Sequence, residues 1–445
     1  MARKLPEHAS ESSLSPPPDD LISPQVKLGI NPEANSLAEK RKAIAKDEDE
    51  AKKPPAKKAK QTVKPKQTVK PKQTKKEVVL APLEERTVDS KLCVGAHVST
   101  AGGVHNAIPN LLHIGANAFA LFLKNQRKWE NPPLDPTFAT LFLEGCRKHG
   151  IEQASCCLPH GSYLVNLAHP DAERKKQAYD SFFDDLTRCH ALGIKLYNFH
   201  PGNSNASTRE EGIKTIAENI NRAHKDPATG EVIPVLETMA SLGNTIGGTF
   251  KDIADIIALV ENKDRIGVCI DTCHIFAAGY DVRTQDTYAA TMKEFDQVIG
   301  LNYLKALHIN DSKAPFNSHR DLHARVGTGY LGLLAFHHIV NDERLHGLPM
   351  VLETPIDIMN NGKKTEDKGI WAREIKLLEK LVGMDIESEE FKTLEKDLHE
   401  EGSSERERVG DQVERKKKKD AGEKIPKKRK SKKAADEEDD EDDEE

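Results

Sequence analysis

Apolar positions along this 445-residue chain fall into two alternating patterns, both confined to its middle. Short, nearly continuous apolar runs recur at CVGAHVS (93–99), NAFALFL (117–123), ASCCLPH (154–160), KLYNFH (195–200), IPVLET (233–238), IGVCID (266–271), YLKALHI (303–309) and PMVLET (349–354). Between them lie stretches with apolar residues three and four apart, at 171–193, 207–225, 250–262, 286–299 and 366–382, the first stopped by Gly193. Strands that are apolar throughout are buried on both faces, the condition of a parallel sheet covered by helices. Eight such strands, each followed by a helix, predict an α/β fold of the (β/α)8 TIM-barrel type, in a length close to its usual ~250 residues. A doubly wound open sheet is the alternative, and no glycine-rich dinucleotide fingerprint supports it.

The two ends carry neither pattern. Residues 1–88 are a lysine- and proline-rich arm with a repeated hexad, QTVKPK at 61–66 and 67–72, and residues 386–445 are almost all charged. Neither holds enough apolar side chains to offset the entropy of ordering, so both read as disordered extensions around a barrel domain at 89–385. That domain holds both tryptophans, all seven cysteines and sixteen of the eighteen histidines. The formal charge of −6 averages opposite extremes, because basic clusters at 415–419 and 426–433 (PKKRKSKK) precede ten consecutive acids, 436–445.

An odd cysteine count without a secretory signal points to a reducing compartment, and no apolar run approaches the ~18 residues of a membrane span. A soluble, monomeric, intracellular protein without membrane contact is expected. The paired basic clusters suit nuclear import factors as partners and a location in the nucleus, with the mitochondrion as an additional one. Acidic residues are frequent in the first twenty positions, unlike a transit peptide. Lysine-rich tails also suit a polyanionic partner.

The chemistry lies where the apolar runs end. His160, His200, Glu237, Asp271, His308 and Glu353 close six successive runs. In a barrel those ends converge on the face that carries active sites. Packed together without a cation, the carboxylates would repel one another in a partly desolvated pocket. Bound metal ions remove that conflict. His274, three residues past Asp271, and the pair Asp321 and His323 can reach the same pocket, giving nine ligands of His or carboxylate type, enough for two or three ions. Zinc suits the mixture, with Mn2+ or Fe2+ as alternatives. Cys269 and Cys273 are not spaced as C-x2-C, so these cysteines read as small hydrophobes.

Several hard-ligand ions suggest hydrolysis of a phosphodiester; isomerisation of a sugar on a two-metal barrel is the enzymatic rival. A third reading is a non-catalytic chromatin protein, but that would be expected to lose ligands. Two loops favour nucleic acid. KNQRKWE (124–130) places Lys124, Arg127, Lys128 and Trp129 on the ligand-bearing face, and GSYLVN (161–166) adds Tyr163 and Leu164 beside His160. Arginine with exposed aromatic and apolar tips is the composition of a wedge in a DNA groove.

These motifs, in order, resemble the endonuclease IV family of apurinic/apyrimidinic endonucleases, as a eukaryotic, fungal-type member with charged tails. The resemblance rests on VGAHVSTAGG (94–103), AFALFLKNQRKW (118–129), LPHGSYLVNL (158–167), NFHPG (198–202), GVCIDTCHIFAAGYD (267–281), LHINDSK (307–313) and VLET (351–354). It implies a TIM barrel with three zinc ions. His160, His200 and Glu237 would hold the first, Glu237, Asp271, His308 and Glu353 the second, and His274, Asp321 and His323 the third. It further implies incision 5′ to an abasic site in double-stranded DNA, leaving a 3′-hydroxyl, and removal of 3′-blocking groups. Glu237 would sit beside the attacking hydroxide, and Arg127, Tyr163 and Leu164 would enter the DNA. The chain departs from the family's usual pattern after Glu237, where Thr238 stands for Asn, and around 321–329, where Leu322, Ala324 and GTG replace parts of the commoner DRHHSLGEG form. Those departures put the orientation of the ligands in question.

Overall fold

Seven parallel strands form one sheet in the computed structural model, which describes residues 80–241 and 243–422. They are β1 (Cys93–His97), β2 (Ala118–Ala120), β3 (Leu196–Phe199), β4 (Ile233–Glu237), β5 (Gly267–Asp271), β6 (Leu304–His308) and β7 (Pro349–Leu352), in the order β2-β1-β7-β6-β5-β4-β3. The gap between β2 and β3 is filled by residues 157–161. Leu158 N–H and His160 N–H donate to Phe119 and Leu121 of the β2 side, while Gly161 N–H donates to Asn198 and Asn198 N–H to Pro159. The sheet thereby closes into the expected TIM barrel. ASCCLPH was expected as a strand, yet Gln153–Cys156 is a helical turn and only isolated bridges follow it. Pro159, with no N–H to give a ladder, accounts for the broken pairing.

Inside the barrel, Ala120, Leu158, Leu196, Val235, Cys269, Ala306 and Val351 make one layer, a side chain from each of seven segments. The eighth segment offers Gly95, paired in register with Val351. A Cβ there would lie 1.6 Å from the Ala118 carbonyl oxygen, so β1 can approach β2 only with glycine. Cys269 in this layer bears out the reading of the cysteines as hydrophobes. All seven are free, and burial pushes the Cys269 and Cys157 thiols well above their ordinary range.

The outer ring follows from local chemistry. It comprises α1 (Ala107–His113), α2 (Pro136–Lys148), α3 (Ala172–Ala191), α4 (Arg209–His224), α5 (Phe250–Leu259), α6 (Gln285–Val298), α7 (Leu333–Val340) and α8 (Gly369–Leu381). Asp135, Asp171, Thr208 and Thr249 cap the starts of α2 to α5 by accepting backbone N–H groups, and Thr249 with Asp252 completes a capping box. In α3, Ala178, Phe182, Leu186 and Cys189 recur on one buried face against the sheet.

Both domain boundaries move outward. Leu83 N–H donates to His113 and Arg86 Nε to Asn117 at 2.7 Å, so the end of the N-terminal arm lies on the barrel. At the other end, residues expected as a disordered tail form α9 (Glu389–Glu401) and α10 (Ser403–Asp420). Phe391, Leu394 and Leu398 line the inner face of α9, and Arg406, Val409 and Val413 that of α10. Each trio is spaced three and four apart, an amphipathic stripe diluted by surrounding charge. The expectations for 1–79, for the 426–433 cluster and for the acids at 436–445 lie outside the described residues.

One buried acid yields a test of the fold. Glu374 of α8 accepts from Val326 N–H at 2.7 Å and from the Thr354 hydroxyl. Burial pushes its carboxyl up to about 7, against those two donors and Arg325. Unfolded, it titrates near 4.5. The folded chain therefore holds a proton that the unfolded chain has lost, and stability falls as pH rises from 4.5 towards 7, by up to about 1.4 kcal/mol per unit. Urea midpoints against pH for wild type and Glu374→Gln should differ by that slope. Parallel curves would refute it.

Candidate metal centre

All nine predicted ligands meet at one end of the barrel. Glu237, Asp271 and His308 are the last residues of β4, β5 and β6; His200 and Glu353 each follow a strand by one residue, and His160 ends the closing segment. Strand ends deliver backbone at fixed spacing, which is why six ligands need no loop to place them. Asp271 also accepts the N–H of His274 at 2.9 Å, capping the short helix Thr272–Ala278 and turning His274 back to the pocket. His323 is set by a two-residue antiparallel ladder with Asp311–Ser312.

Glu237 divides its two oxygens. Oε2 lies 3.1 Å from His160 Nε2 and 3.5 Å from His200 Nε2. Oε1 lies 3.1 Å from His308 Nδ1, which is 3.4 Å from Glu353 and 3.8 Å from Asp271. Asp321 stands between His274 and His323, with Oδ2 3.0 Å from Nε2 of the first and Oδ1 3.0 Å from Nε2 of the second. The first two predicted ligand sets are therefore close groups as expected, and Asp271 also lies within reach of His274 and His323. Cys273 is near Asp321 and His323 too, but burial holds its thiol far above its ordinary range.

The imidazoles are aimed by their second nitrogen. A carbonyl can only accept, so Nδ1–H of His160 donates to Gly161 at 2.7 Å and that of His274 to Thr238 at 2.8 Å. Each ring thereby directs its Nε2 into the pocket, the nitrogen it would offer a metal on releasing its proton. Nε2 of His274 and of His323 faces Asp321, and His308 turns Nδ1 to Glu237, Glu353 and Asp271. Imidazole nitrogens directed at grouped carboxylates form a donor set that fits two or three divalent cations of the kind that take His and carboxylate ligands.

Electrostatics point the same way. Burial disfavours a charged ring, yet Glu353 and Glu237 overcome it and raise His308 to about 10. Asp321 and Asp271 likewise raise His323 to about 9. Burial works against the carboxylates too, but His308 and His200 hold Glu237 well below its usual range, and His274 and His323 do the same for Asp321. In the protein by itself, protons on imidazoles occupy the role that cations would take.

Sequence reasoning missed the side chains that orient the ligands. Asn198 Nδ2 donates to Glu237 Oε2 at 2.5 Å; Asn310 Nδ2 donates to Asp271 at 2.6 Å while its carbonyl oxygen accepts the Glu353 N–H at 2.9 Å. Both stood in quoted motifs, two residues from a ligand, and an inward-facing alternation would have found them. His97, ending β1, is half-buried 4.4 Å from the Phe122 ring and lowered to about 4 by desolvation, a fourth strand-end imidazole that the same reasoning could have counted.

The loops behave unequally. Arg127 is exposed, and Tyr163 and Leu164 are 61% and 40% exposed although the Tyr163 ring lies 5.3 Å from that of His160. Ser162 ties the two loops by donating to the Gln126 carbonyl at 2.6 Å. Lys124 leaves the expected surface: its ammonium is buried against Asp184 at 2.9 Å and Asp185 at 3.3 Å. Paired acids on α3 draw it in, so it braces α3 rather than facing a ligand.

Residues 109–381 match the family model described as a xylose isomerase-like TIM barrel. The apurinic-apyrimidinic endonuclease 1 of Saccharomyces cerevisiae is 46% identical over 66% of this chain and 77% of its own. This chain belongs to the endonuclease IV family of apurinic/apyrimidinic endonucleases. A probable endonuclease 4 of Campylobacter curvus is 46% identical over 65% of this chain and 97% of its own. The crystal structure of endonuclease IV from Thermus thermophilus superposes with a TM-score of 0.55 at 27% identity, over 65% of this chain and 98% of that one. The family match ends before α9 and α10.

Within this endonuclease IV chain the departures from the usual pattern have partners. Thr238 accepts the Asp271 N–H through its hydroxyl at 3.0 Å and the His274 ring through its carbonyl, so it holds two ligands. In the GTG stretch, Gly329 N–H donates to buried Asp311, and a Cβ there would lie 2.2 Å from that carboxylate.

Proposed function

We propose that this endonuclease uses zinc to hydrolyse the phosphodiester 5′ to an abasic site in double-stranded DNA, leaving a 3′-hydroxyl, and that the same centre removes 3′-blocking groups. The observation that carries the reading is the division of Glu237, one oxygen towards His160 and His200 and the other towards His308. A carboxylate so shared suits a bridge between adjacent ions. On this reading His160, His200 and Glu237 hold one ion, Glu237, Asp271, His308 and Glu353 a second, and His274, Asp321 and His323 a third. Zinc bound there supplies Lewis acidity and a hydroxide at neutral pH.

The chain's own residues do the rest. Asn198 and Asn310 hold Glu237 and Asp271 in orientation, and Gly161 and Thr238 set two imidazole tautomers. On this reading the exposed Arg127, Tyr163 and Leu164 serve as the groove wedge. A missing base lowers the cost of extruding the nucleotide, which favours the lesion over intact duplex. A sugar isomerase would use strand-end ligands too, but has no use for that exposed wedge.

Incision of an end-labelled duplex with one abasic site tests the reading, with wild type, metal-stripped and zinc-restored protein side by side. A 3′-hydroxyl product that vanishes on stripping and returns with zinc is expected. Incision that survives stripping, or an eliminated sugar on the 3′ end, would overturn it. Tyr163→Ala should raise the KM for the abasic duplex about ten-fold, from loss of ~1–3 kcal/mol of stacking, with zinc content unchanged. An unaltered KM would remove Tyr163 from the wedge.

The enzyme works as a monomer in the nucleus on this reading, with the mitochondrion as an additional site. Import factors would read the exposed Arg415–Lys419 on α10 together with the 426–433 cluster. Replacing both clusters with alanine should abolish nuclear accumulation of the full chain, followed by fluorescence microscopy; unchanged accumulation counts against them. Among the described residues no helix is long and apolar enough to cross a membrane.

A further inference from the structure

Of the nine ligands, Asp321 is the one the barrel core does not hold. Its side chain is 45% exposed, whereas those of Glu237, Asp271 and His308 are fully buried. We propose that α9 and α10, which lie beyond the family match, are a clamp that positions Asp321 and His323 from outside the barrel, with Leu322 and Arg406 as its positioning residues.

Leu322 sits between the two ligands and packs with Ala314 against Val409 and Val413 of α10. Arg406, buried, donates one nitrogen to the Thr328 carbonyl and another to the His399 carbonyl, joining the ligand loop to both helices. Tyr330 returns the contact by donating its hydroxyl to the Arg406 carbonyl at 2.8 Å. At the joint between the helices, Gly402 lies so near the loop that a Cβ would stand 1.8 Å from the Thr328 oxygen. Lys313 pairs with Glu405 at 3.6 Å and Arg325 with Glu401 at 3.3 Å along the rim.

On the barrel side, Asp311 accepts N–H groups of Gly329, Leu331 and Gly332. The loop is thus gripped between a buried acid and a docked helix. Leu322 stands where the usual pattern has a polar residue, and its apolar side chain gives α10 a seat. Charge alone would not dock this helix, because surface ion pairs contribute little; the buried contacts at Leu322, Val409, Val413 and Arg406 do.

The inference rests on the zinc reading, and the test separates the two. Amide hydrogen exchange is measured on full-length wild type, Val409→Asp and Gly402→Ala without metal, and zinc release to a chromogenic chelator is timed on the zinc-loaded proteins. Val409→Asp buries a charge in the seat, and Gly402→Ala wedges the joint off Thr328 by a single methyl. Expected is exchange at 311–330 faster by about ten-fold or more while β4 and β5 keep their protection. One of the bound ions should also leave about ten-fold or more faster, the scale on which ligand-orienting partners act. Exchange that rises in 403–420 alone, with 311–330 and zinc release unchanged, would overturn the clamp. If Val409→Asp does not fold, Gly402→Ala decides by the same readouts. Wild type that takes up no zinc would remove the zinc reading, and exchange at 311–330 would still decide the clamp.

Discussion

Glu237→Gln should lose abasic-site incision by more than about 100-fold while the barrel stays folded. Oriented partners of metal ligands are worth about 10- to 100-fold, and Glu237 is itself reached by two ligand groups. The amide keeps the size of the side chain but offers one weak acceptor where the carboxylate offered two charged oxygens. It also leaves His160 and His308 without the anion that each faces at 3.1 Å. Zinc content should fall with activity, and binding to abasic duplex should persist, because Arg127, Tyr163 and Leu164 are untouched. The assay is incision beside metal analysis and a binding isotherm. Activity within ten-fold of wild type would exclude the bridging role.

Metal affinity should climb with pH well past neutrality. His308 and His323 are raised to about 10 and about 9 in the protein without metal. Metal binding needs neutral imidazoles, so each ring must release its proton on loading. Below about 9 both rings are charged, and affinity should gain up to about 100-fold per pH unit, ten-fold for each proton, flattening as pH passes 9 and then 10. An isolated histidine near 6.5 would already have flattened by pH 8. Competition with a chelator of known affinity, run from pH 6 to 10, reads the slope. A plateau beginning near pH 7 would show that the carboxylates do not hold those protons.

The parts that were legible in the sequence share one property: they depend on residues close together along the chain. Strand after strand ended in His, Asp or Glu, and periodicity placed α3 to α6 and α8 to within a few residues, leaving α1, α2 and α7 without a stated span. Even the missed helices α9 and α10 carried their stripe, but three apolar side chains in α9 and two in α10 were outvoted by the composition around them. The hairpin Asp357–Asn360 with Lys363–Glu366 lies between the last expected strand and the helix expected at 366–382, which begins only at Gly369, and no expected element covered it. Asn360, Asn361 and Gly362 at its tip, two of them at positive φ, are a turn signal carried locally in the chain.

The sequence by itself determined the barrel, its eight segments and the residues at their ends, because burial on both faces and burial on one leave different periods in the chain. Which ligands share an oxygen of Glu237, which asparagines hold them, that Lys124 turns to Asp184 and Asp185, and that α10 seats on Leu322 were decided only in the tertiary structure. Each of those is a contact between segments tens of residues apart. Their energies depend on desolvation and on complementary shape at one meeting point, and no local pattern carries that information.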